Sequence, residues 1–312
     1  MSTPVLCAGI VVADLFVPPL PVLPAAGELL VTDDFLLSPG GCAANTAISL
    51  GRLGVAATVA GKVGEDVFGD FLEQDLRRRG IDTSGLRRSA RCGTSKTVVL
   101  TVPGEDRRFV HTFGANADFH AGDLDGALLG GVEVLYLGGY LVLPALEQEA
   151  LAELFALARA GGARTVLDVV VPAGDETASL DRLRDLLPHV DVFMPNGDEA
   201  AALTGEREPE RQARRFLEAG AGTALITLGA EGVVAVSGEE SLAVPAPQVD
   251  ALDESGAGDA FAAGFIVGLL EGWKLERSVR FASAIGASAC TRLGCTDGVF
   301  TRAEAEAFLA AA

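Results

Sequence analysis

The chain has 312 residues, of which 49% are apolar, so it can bury a large core, and we expect one large domain with a small appendage. Its formal net charge of −19 repels nucleic acid and anionic lipid, so we expect a small-molecule partner, with no nucleic acid and no membrane. The most apolar segments are shorter than the roughly 20 residues that a membrane-spanning helix needs.

The cysteines and the N-terminal residues indicate the compartment. The five cysteines contain no Cys-x-x-Cys pair and the three histidines are far apart, so we expect neither a disulfide framework nor a zinc site. The first basic residue is Arg52, and Asp14 interrupts the apolar N-terminal stretch, which does not fit a secretory signal. We therefore predict a cytoplasmic protein with free thiols.

The first third of the chain contains short β-rich segments. Residues 28–37, 94–102 and 107–113 are predicted strands, and Pro103-Gly-Glu-Asp106 is a turn sequence between the last two. Helical spacing of apolar residues over 66–79 predicts a helix, with Gly80 as its C-cap. A small β-sheet, formed by insertions at about 12–37 and 93–114, explains this pattern.

From about residue 130 onward, β-rich runs alternate with helix-like segments such as residues 146–160. Nearly continuous apolar strands separated by helices predict a mostly parallel sheet that is covered on both faces. The predicted fold class is therefore α/β, with a three-layer core and a small second sheet, in a single domain over residues 1–312.

A glycine-rich turn, Ser38-Pro-Gly-Gly-Cys-Ala-Ala-Asn45, leads into a predicted helix. Gly40 and Gly41 allow a ligand to approach the backbone closely, and Asn45 offers both a donor and an acceptor to a polyhydroxylated ligand. An ordinary turn followed by a solvated helical Asn explains the same residues equally well.

The segment Asn196-Gly-Asp-Glu199 lies between a predicted strand at 191–194 and a predicted helix. Its spacing fits a capping box, in which Asn196 and Glu199 cap the same helix reciprocally. The pair also suits magnesium at the carboxyl end of a parallel strand, since Mg²⁺ keeps most of its waters and borrows one or two carboxylates. Both interpretations can hold together.

The strongest local signal is Asp253-Glu-Ser-Gly-Ala-Gly-Asp259, which opens an apolar helix. The amides of Gly256, Ala257 and Gly258 at a helix N-terminus can cradle a phosphoryl group. Asp259 would repel that group unless it had a task, and accepting the proton of an attacking hydroxyl is such a task. The alternative is an ordinary glycine-rich turn in which Asp259 caps the helix.

These motifs, in this order, resemble the PfkB-type carbohydrate kinases, the ribokinase family, over almost the whole chain. Four further segments carry the resemblance: Gly9-Ile-Val-Val-Ala-Asp14, Gly61-Lys-Val-Gly-Glu-Asp-Val-Phe-Gly69, Gly114-Ala-Asn116 and Thr227-Leu-Gly229. The resemblance implies a ribokinase-like, Rossmann-type fold with a β-sheet lid. It also implies an ATP- and Mg²⁺-dependent kinase that acts on a hydroxymethyl group of a sugar or sugar acid, of the ribose, fructose or 2-keto-3-deoxygluconate type.

The resemblance further implies roles for individual residues. Asp259 would be the general base, and the anion hole would consist of Gly256, Ala257 and Gly258. Substrate hydroxyls would contact Asp14, Gly40, Gly41, Asn45 and Asp259. The nucleotide would contact Asn196, Glu199, Thr227, Gly229, Gly232, Gly258 and Ser283, and magnesium would be held through water by Asn196 and Glu199.

Three segments depart from the pattern of that family. Glu254 stands where Thr is common and adds charge beside the anion hole, and Ser283 stands where a larger Asn or His often contacts adenine. Residues 291–298 resemble a stretch that helps to bind potassium in ribokinase, but Gly298 offers no side-chain ligand. A potassium site would be formed by Asp253, Ser255 and Gly294.

Other functions fit parts of the sequence. Phe109, His111 and Phe113 alternate along one predicted strand and suit stacking on the base of a nucleoside, the substrate of adenosine-like kinases with this fold. Arg107 and Arg108 suit the second phosphate of a sugar phosphate. A catalytically inactive ligand-binding protein is an alternative from another class.

The strands of the predicted lid would leave exposed edges in a lone chain. Such edges are commonly covered by pairing with another copy of the same chain. We therefore expect a homodimer that forms through the lid.

Overall fold

The computed structural model describes residues 3–104, 107–172 and 174–311. Its strands are β1 (Val5–Gly9), β2 (Val12–Phe16), β3 (Leu36–Gly40), β4 (Ala57–Gly64), β5 (Asp82–Ser89), β6 (Lys96–Leu100), β7 (Arg108–Thr112), β8 (Val134–Gly138), β9 (Arg164–Leu167), β10 (Val192–Phe193), β11 (Thr223–Thr227), β12 (Val233–Ser237) and β13 (Glu240–Val244). Its α-helices are α1 (Cys42–Arg52), α2 (Val67–Arg78), α3 (Gln148–Ala160), α4 (Gly197–Thr204), α5 (Pro209–Glu218), α6 (Ala257–Leu270), α7 (Leu275–Ala289) and α8 (Arg302–Ala311).

The main sheet has nine strands in the order β13-β12-β11-β10-β9-β8-β1-β4-β5. All neighbouring pairs from β11 to β5 are parallel, and β12 and β13 extend the sheet by antiparallel pairing. Because the carboxyl ends of parallel strands meet at one edge, this order gathers the loops after β1, β8, β9, β10 and β11 along that edge. The predicted mostly parallel α/β sheet is confirmed.

Helices cover both faces of the main sheet. On β1, Val5 and Cys7 pack into the core shared with α1, α2, α6, α7 and α8, whereas Leu6 and Ala8 pack toward α3, α4 and α5. This alternation follows from the two-residue period of a strand. The fully apolar sequence of β1 is therefore explained, since neither face of the strand contacts water.

The second sheet, called the small sheet below, has the strand order β3-β2-β6-β7. The predicted strand over residues 28–37 is wrong for 28–35, because β3 begins at Leu36, opposite Phe16, where β2 ends. Residues 28–35 have no strand to pair with among the described residues, and Leu29 and Val31 are 88% and 83% exposed. The turn predicted at 103–106 includes Glu105 and Asp106, which lie outside the described residues.

The chain passes from the main sheet to the small sheet between Gly9 and Val12. The segment from Gly9 to Asp14 is therefore divided between two strands, with Gly9 at the end of β1 and Asp14 on β2. At the crossing, Val11 donates its N–H to Oδ1 of Asn116 at 3.2 Å, and Asn116 donates from Nδ2 to the Val11 carbonyl at 3.1 Å. The Asn116 side chain thus forms hydrogen bonds with the Val11 N–H and carbonyl, at the point where the chain leaves one sheet for the other.

The predicted helix at 66–79 is observed as α2, and Asp66 caps it by accepting the Gly69 N–H at 2.9 Å. In the described part of the chain, every helix is too short or too polar to cross a membrane.

Helix α6 packs against α7 through a glycine, and we expect Gly264→Ala to destabilise the fold. A Cβ at this position would lie 2.8 Å from the Ala282 Cα, a backbone atom that cannot rotate away. The clash should cost about 1 to 3 kcal/mol, which exceeds the roughly 1 kcal/mol that Ala gains in helix propensity. Urea unfolding measures the change.

Gly258→Ala in the same helix is the matched control, because a Cβ there meets no atom within 4 Å. Its unfolding free energy should not fall. Equal stability of the two variants would show that α6 and α7 separate to admit a side chain at Gly264.

Candidate active site

The N-terminus of α6 lies against the N-terminal half of α1, and the contact is made by Asp259. Asn45 donates from Nδ2 to Oδ2 of Asp259 at 2.9 Å, and Thr46 donates its hydroxyl to the Asp259 carbonyl at 3.3 Å. Desolvation raises the pKa of the Asp259 carboxyl, although the Asn45 hydrogen bond opposes the shift. The two glycine-rich motifs therefore meet at one carboxylate.

The turn before α6 has the conformation that the sequence motif requires. Gly256 is in the left-handed region with φ 76°, and a Cβ there would lie 2.3 Å from the Cys295 carbonyl oxygen. The amides of Ala257 and Gly258 then form the first turn of the helix, at the positive end of its dipole. This end of α6 can bind an anion.

Asp14 on β2 lies opposite Ser38 on β3, where the first glycine-rich motif begins. A Cβ on Gly40 would lie 1.8 Å from Oδ2 of Asp14, so only glycine leaves room for this carboxylate. Burial raises the pKa of Asp14 to about 6, and the nearby charge of Asp259 adds to the effect. Gly41 has φ 87° and approaches the Ile10 carbonyl, which completes the turn into α1.

Sequence reasoning missed two members of this site, Cys42 and Asp168. The Cys42 thiol and one carboxylate oxygen each of Asp168 and Asp259 all lie within 4.8 Å of one another. Desolvation raises the pKa of Asp168, and the charges of Glu199 and Asp259 raise it further. The available signal was the position of Asp168, a charged residue directly after the apolar strand β9.

Asn196 and Glu199 form the predicted capping box at the start of α4. Asn196 Oδ1 accepts the Glu199 N–H at 2.9 Å, and Glu199 Oε2 accepts the Asn196 N–H at 2.8 Å. Burial raises the pKa of Glu199 to about 7, against the effect of these backbone hydrogen bonds. Glu199 Oε1 also accepts the Val171 N–H at 3.4 Å, which places Glu199 against the segment after β9 that carries Asp168.

A cavity of about 380 Å³ adjoins the N-terminus of α6. Six residues predicted to contact a nucleotide line it: Asn196, Thr227, Gly229, Gly232, Gly258 and Ser283. Its other walls come from the segment after β13 and from α6 and α7, with Pro247, Val249, Phe261, Gly286 and Ala287 among the lining residues. Sequence reasoning missed this apolar wall, since alanines, glycines and prolines carry no chemical signal of their own.

Asp253, Ser255 and Gly294, the residues proposed from sequence for potassium, lie together beside the turn before α6. Asp253 accepts the Ser255 N–H on Oδ1 and the Gly294 N–H on Oδ2, both at 3.0 Å. Arg107 from the small sheet also donates to Oδ1 of Asp253, at 3.0 Å. Sequence reasoning missed this ion pair, which joins residues 146 positions apart.

The fold and site together define an enzyme in which a carboxylate, that of Asp259, lies in the first turn of a helix whose anion-binding N-terminus lines a cavity. Comparison with known proteins agrees. The pfkB family carbohydrate kinase pattern matches residues 2–302, so the chain belongs to this family of ATP-dependent sugar phosphotransferases.

Three relatives illustrate the match. A ribokinase of Bacillus subtilis is 27% identical over 286 residues, which are 92% of each chain. An aminoimidazole riboside kinase of Salmonella typhimurium is 29% identical over 273 residues, 84% of this chain and 85% of the relative. The solved structure of a ribokinase II candidate from E. coli, in complex with ATP and Mg²⁺, has a TM-score of 0.84 over 100% of both chains at 23% identity.

The raised pKa of Asp14 makes a prediction for stability. The Asp14 carboxyl has a pKa of about 6 in the folded chain and its ordinary pKa of 3.8 in the unfolded chain. Between pH 4 and 6 the folded chain therefore keeps a proton on Asp14 that the unfolded chain has released. The stabilisation that this extra proton gives to the folded chain is therefore present at low pH and is lost as the pH rises through 6. From pH 4.5 to 7.5, wild type should lose about 2 kcal/mol more unfolding free energy than Asp14→Asn.

Urea unfolding at the two pH values measures this difference. Asp250→Asn, at an exposed aspartate, is the control and should follow wild type. Parallel pH profiles of wild type and Asp14→Asn would refute the assignment.

Proposed function

We propose that this chain transfers the γ-phosphoryl group of ATP to a hydroxymethyl group of an uncharged sugar, with Asp259 as the general base. The observation that supports this proposal best is the position of Asp259 in the first turn of α6. Its carboxylate accepts a hydrogen bond from Asn45 at 2.9 Å, and the neighbouring residue, Gly258, lines the cavity. A hydroxyl on the Asn45 side and a phosphate in the cavity would then meet at this carboxylate.

In the proposed step, Asp259 accepts the proton of the acceptor hydroxyl while the oxygen of that hydroxyl forms a bond to the γ-phosphorus. The bond between that phosphorus and the β,γ-bridging oxygen breaks, and ADP leaves. The amides of Ala257 and Gly258 would stabilise the charge on the transferred group. The raised pKa of Asp259 suits a base that must hold a proton briefly.

The residues at the edge of the sheet fit magnesium. Glu199 and Asp168 offer carboxylate oxygens, the ligands that Mg²⁺ prefers, and no described cation is among the groups that shift their pKa values. Both oxygens of Glu199 already accept backbone N–H groups, so we propose that Asn196 and Glu199 act through water. When bound, the ion would neutralise phosphate charge.

The charges around Asp259 support an uncharged acceptor. The groups that influence the pKa values of Asp14 and Asp259 are one carboxylate, two thiols, a hydroxyl and an amide, with no lysine or arginine among them. A sugar acid or sugar phosphate would bring a further negative charge to these carboxylates, without compensation. Asp14 and Asn45 suit neutral hydroxyls, since Oδ1 of Asn45 has no donor within the described residues.

A riboside is the second candidate acceptor, and the small sheet favours it. Phe109 and Phe113 are 56% and 46% exposed, and the rings of His111 and Phe113 meet edge to face at 5.0 Å. His111 also pairs with Thr97, which is a hydrogen-bond partner of Asp14. An aromatic surface therefore adjoins the proposed hydroxyl-binding residues, and a base could stack on it.

ADP release in the presence of ATP and Mg²⁺ tests these proposals. The acceptors are ribose, fructose, 2-keto-3-deoxygluconate, fructose phosphates, aminoimidazole riboside and adenosine. We expect turnover with a neutral acceptor, and a fall of about 10²- to 10⁴-fold in Asp259→Asn, because the base is lost. Asp250→Asn, on the exposed segment before α6, is the matched control.

Each outcome decides one proposal. Turnover with the sugar acid or the sugar phosphates alone would refute the neutral acceptor, and turnover with ribosides alone would select the second candidate. Full activity of Asp259→Asn would refute the base. Saturable ATP binding without turnover on any acceptor would favour an inactive ligand-binding protein.

We also propose that two copies pair through their small sheets. Leu29, Val31 and Val110 are each more than half exposed and all belong to this sheet or to its β2–β3 connection. β7 forms an edge of the sheet, with each of its residues exposed. An apolar surface next to a strand edge that pairs with no other described strand is suited to a second copy.

Solution scattering measures the assembly. Wild type should show twice the chain mass of 32.0 kDa, and Val110→Lys should reduce it toward a single chain. Leu157→Lys, at a similarly exposed apolar residue on α3, should remain dimeric. A wild-type mass of one chain would contradict the proposal.

We also propose that the reaction takes place in the cytoplasm. All five cysteines are free thiols, and a reducing compartment preserves them.

A further inference from the structure

Arg107, just before β7, connects the small sheet to the turn before α6. Its Nη1 donates to Asp253 Oδ1 at 3.0 Å and to the Ser255 hydroxyl at 2.6 Å. The side chains of Arg107 and Asp253 are only 24% and 3% exposed, so water screens the pair weakly. The guanidinium also lies 5.7 Å from the centre of the Phe109 ring, which helps to orient it.

Asp253 is the centre of the turn that Arg107 contacts. It holds the N–H groups of Ser255 and Gly294, and so ties the segment before α6 to the segment after α7. Gly256 directly follows Ser255 within the same turn and packs against the Cys295 carbonyl. The direction of the Ala257 and Gly258 amides therefore depends on Asp253.

The charge of Asp253 needs compensation at this place. Burial opposes ionisation, but the hydrogen bonds from Ser255 and Gly294 and the charge of Arg107 outweigh it and lower the pKa of Asp253. An ionised carboxylate near the N-terminus of α6 would repel a phosphoryl group that arrives there. A cation on Asp253 removes this repulsion and leaves the turn intact.

We propose that Arg107 is a positioning residue that supplies this cation from within the chain. Its guanidinium occupies the carboxylate and hydroxyl oxygens of Asp253 and Ser255 that the sequence suggested for potassium. The anion-binding amides are then set without an external monovalent cation, and only while the small sheet is in contact with the turn. The effect on turnover rests on the proposed function, whereas the effect on the turn does not.

Kinetics in different monovalent salts test the proposal. Wild type should be equally active in potassium and in tetramethylammonium, an ion too large to replace a guanidinium. Arg107→Ala should lose roughly 10- to 100-fold in kcat/KM in tetramethylammonium, because the amides are misplaced. Potassium or millimolar guanidinium should restore part of this loss, and neither should stimulate wild type.

Two further variants complete the series. Arg107→Lys keeps the charge and should fall between wild type and Arg107→Ala. Arg302→Ala is the matched control, since it removes a guanidinium paired with Glu271, at the opposite end of α6, and should leave the salt response unchanged.

Amide hydrogen exchange tests the turn without any acceptor. In Arg107→Ala the N–H groups of Ser255 and Gly294 should exchange at least about 10-fold faster than in wild type, and guanidinium should slow them again. Potassium activation of wild type, or wild-type exchange and turnover in Arg107→Ala, would overturn the proposal. Failure of every acceptor would refute the proposed function and leave the exchange result to decide on Arg107.

Discussion

The hydrogen bond between Asn45 and Asp259 is the contact on which the site depends. It spans 214 residues of sequence and joins two helix N-termini, one fixed by Gly41 and the other by Gly256. Both glycines have positive φ and both pack against a backbone carbonyl, so the helices begin at set positions. The parallel sheet is a third constraint, because the carboxyl ends of β9 and β10 place Asp168 and Glu199 at the same edge of the sheet.

Four carboxyl groups are crowded together in the site, and this crowding destabilises the folded chain when no ligand is bound. Desolvation raises the pKa values of Asp14, Asp168, Glu199 and Asp259. The charge of Asp259 raises those of Asp14 and Asp168 further, and the charge of Glu199 adds to the effect on Asp168. Such crowding destabilises the folded chain near neutral pH. A bound cation or hydroxyl donor relieves it, so ligand binding and folding stability are linked in this protein.

The sequence predicted the parts of the fold and site that lie in contiguous motifs. The α6 turn, the Asn196–Glu199 capping box and the parallel sheet each follow from local pattern and spacing. Asp168 and the Arg107–Asp253 pair were missed, because their partners are set by how separate segments meet in space. The wrong strand at 28–35 has the same origin, since β-rich residues form a strand only where a partner strand exists.

The two hydrogen bonds between Asn116 and Val11 fix the point at which the small sheet leaves the main sheet. Asp14 is three residues from Val11 and therefore close to this anchor. Arg107 precedes β7, which lies two strands or about 10 Å from β2 across the small sheet. We therefore expect any opening of the small sheet to displace Arg107 more than Asp14, so that the acceptor side of the site keeps its geometry more readily than the anion-binding side.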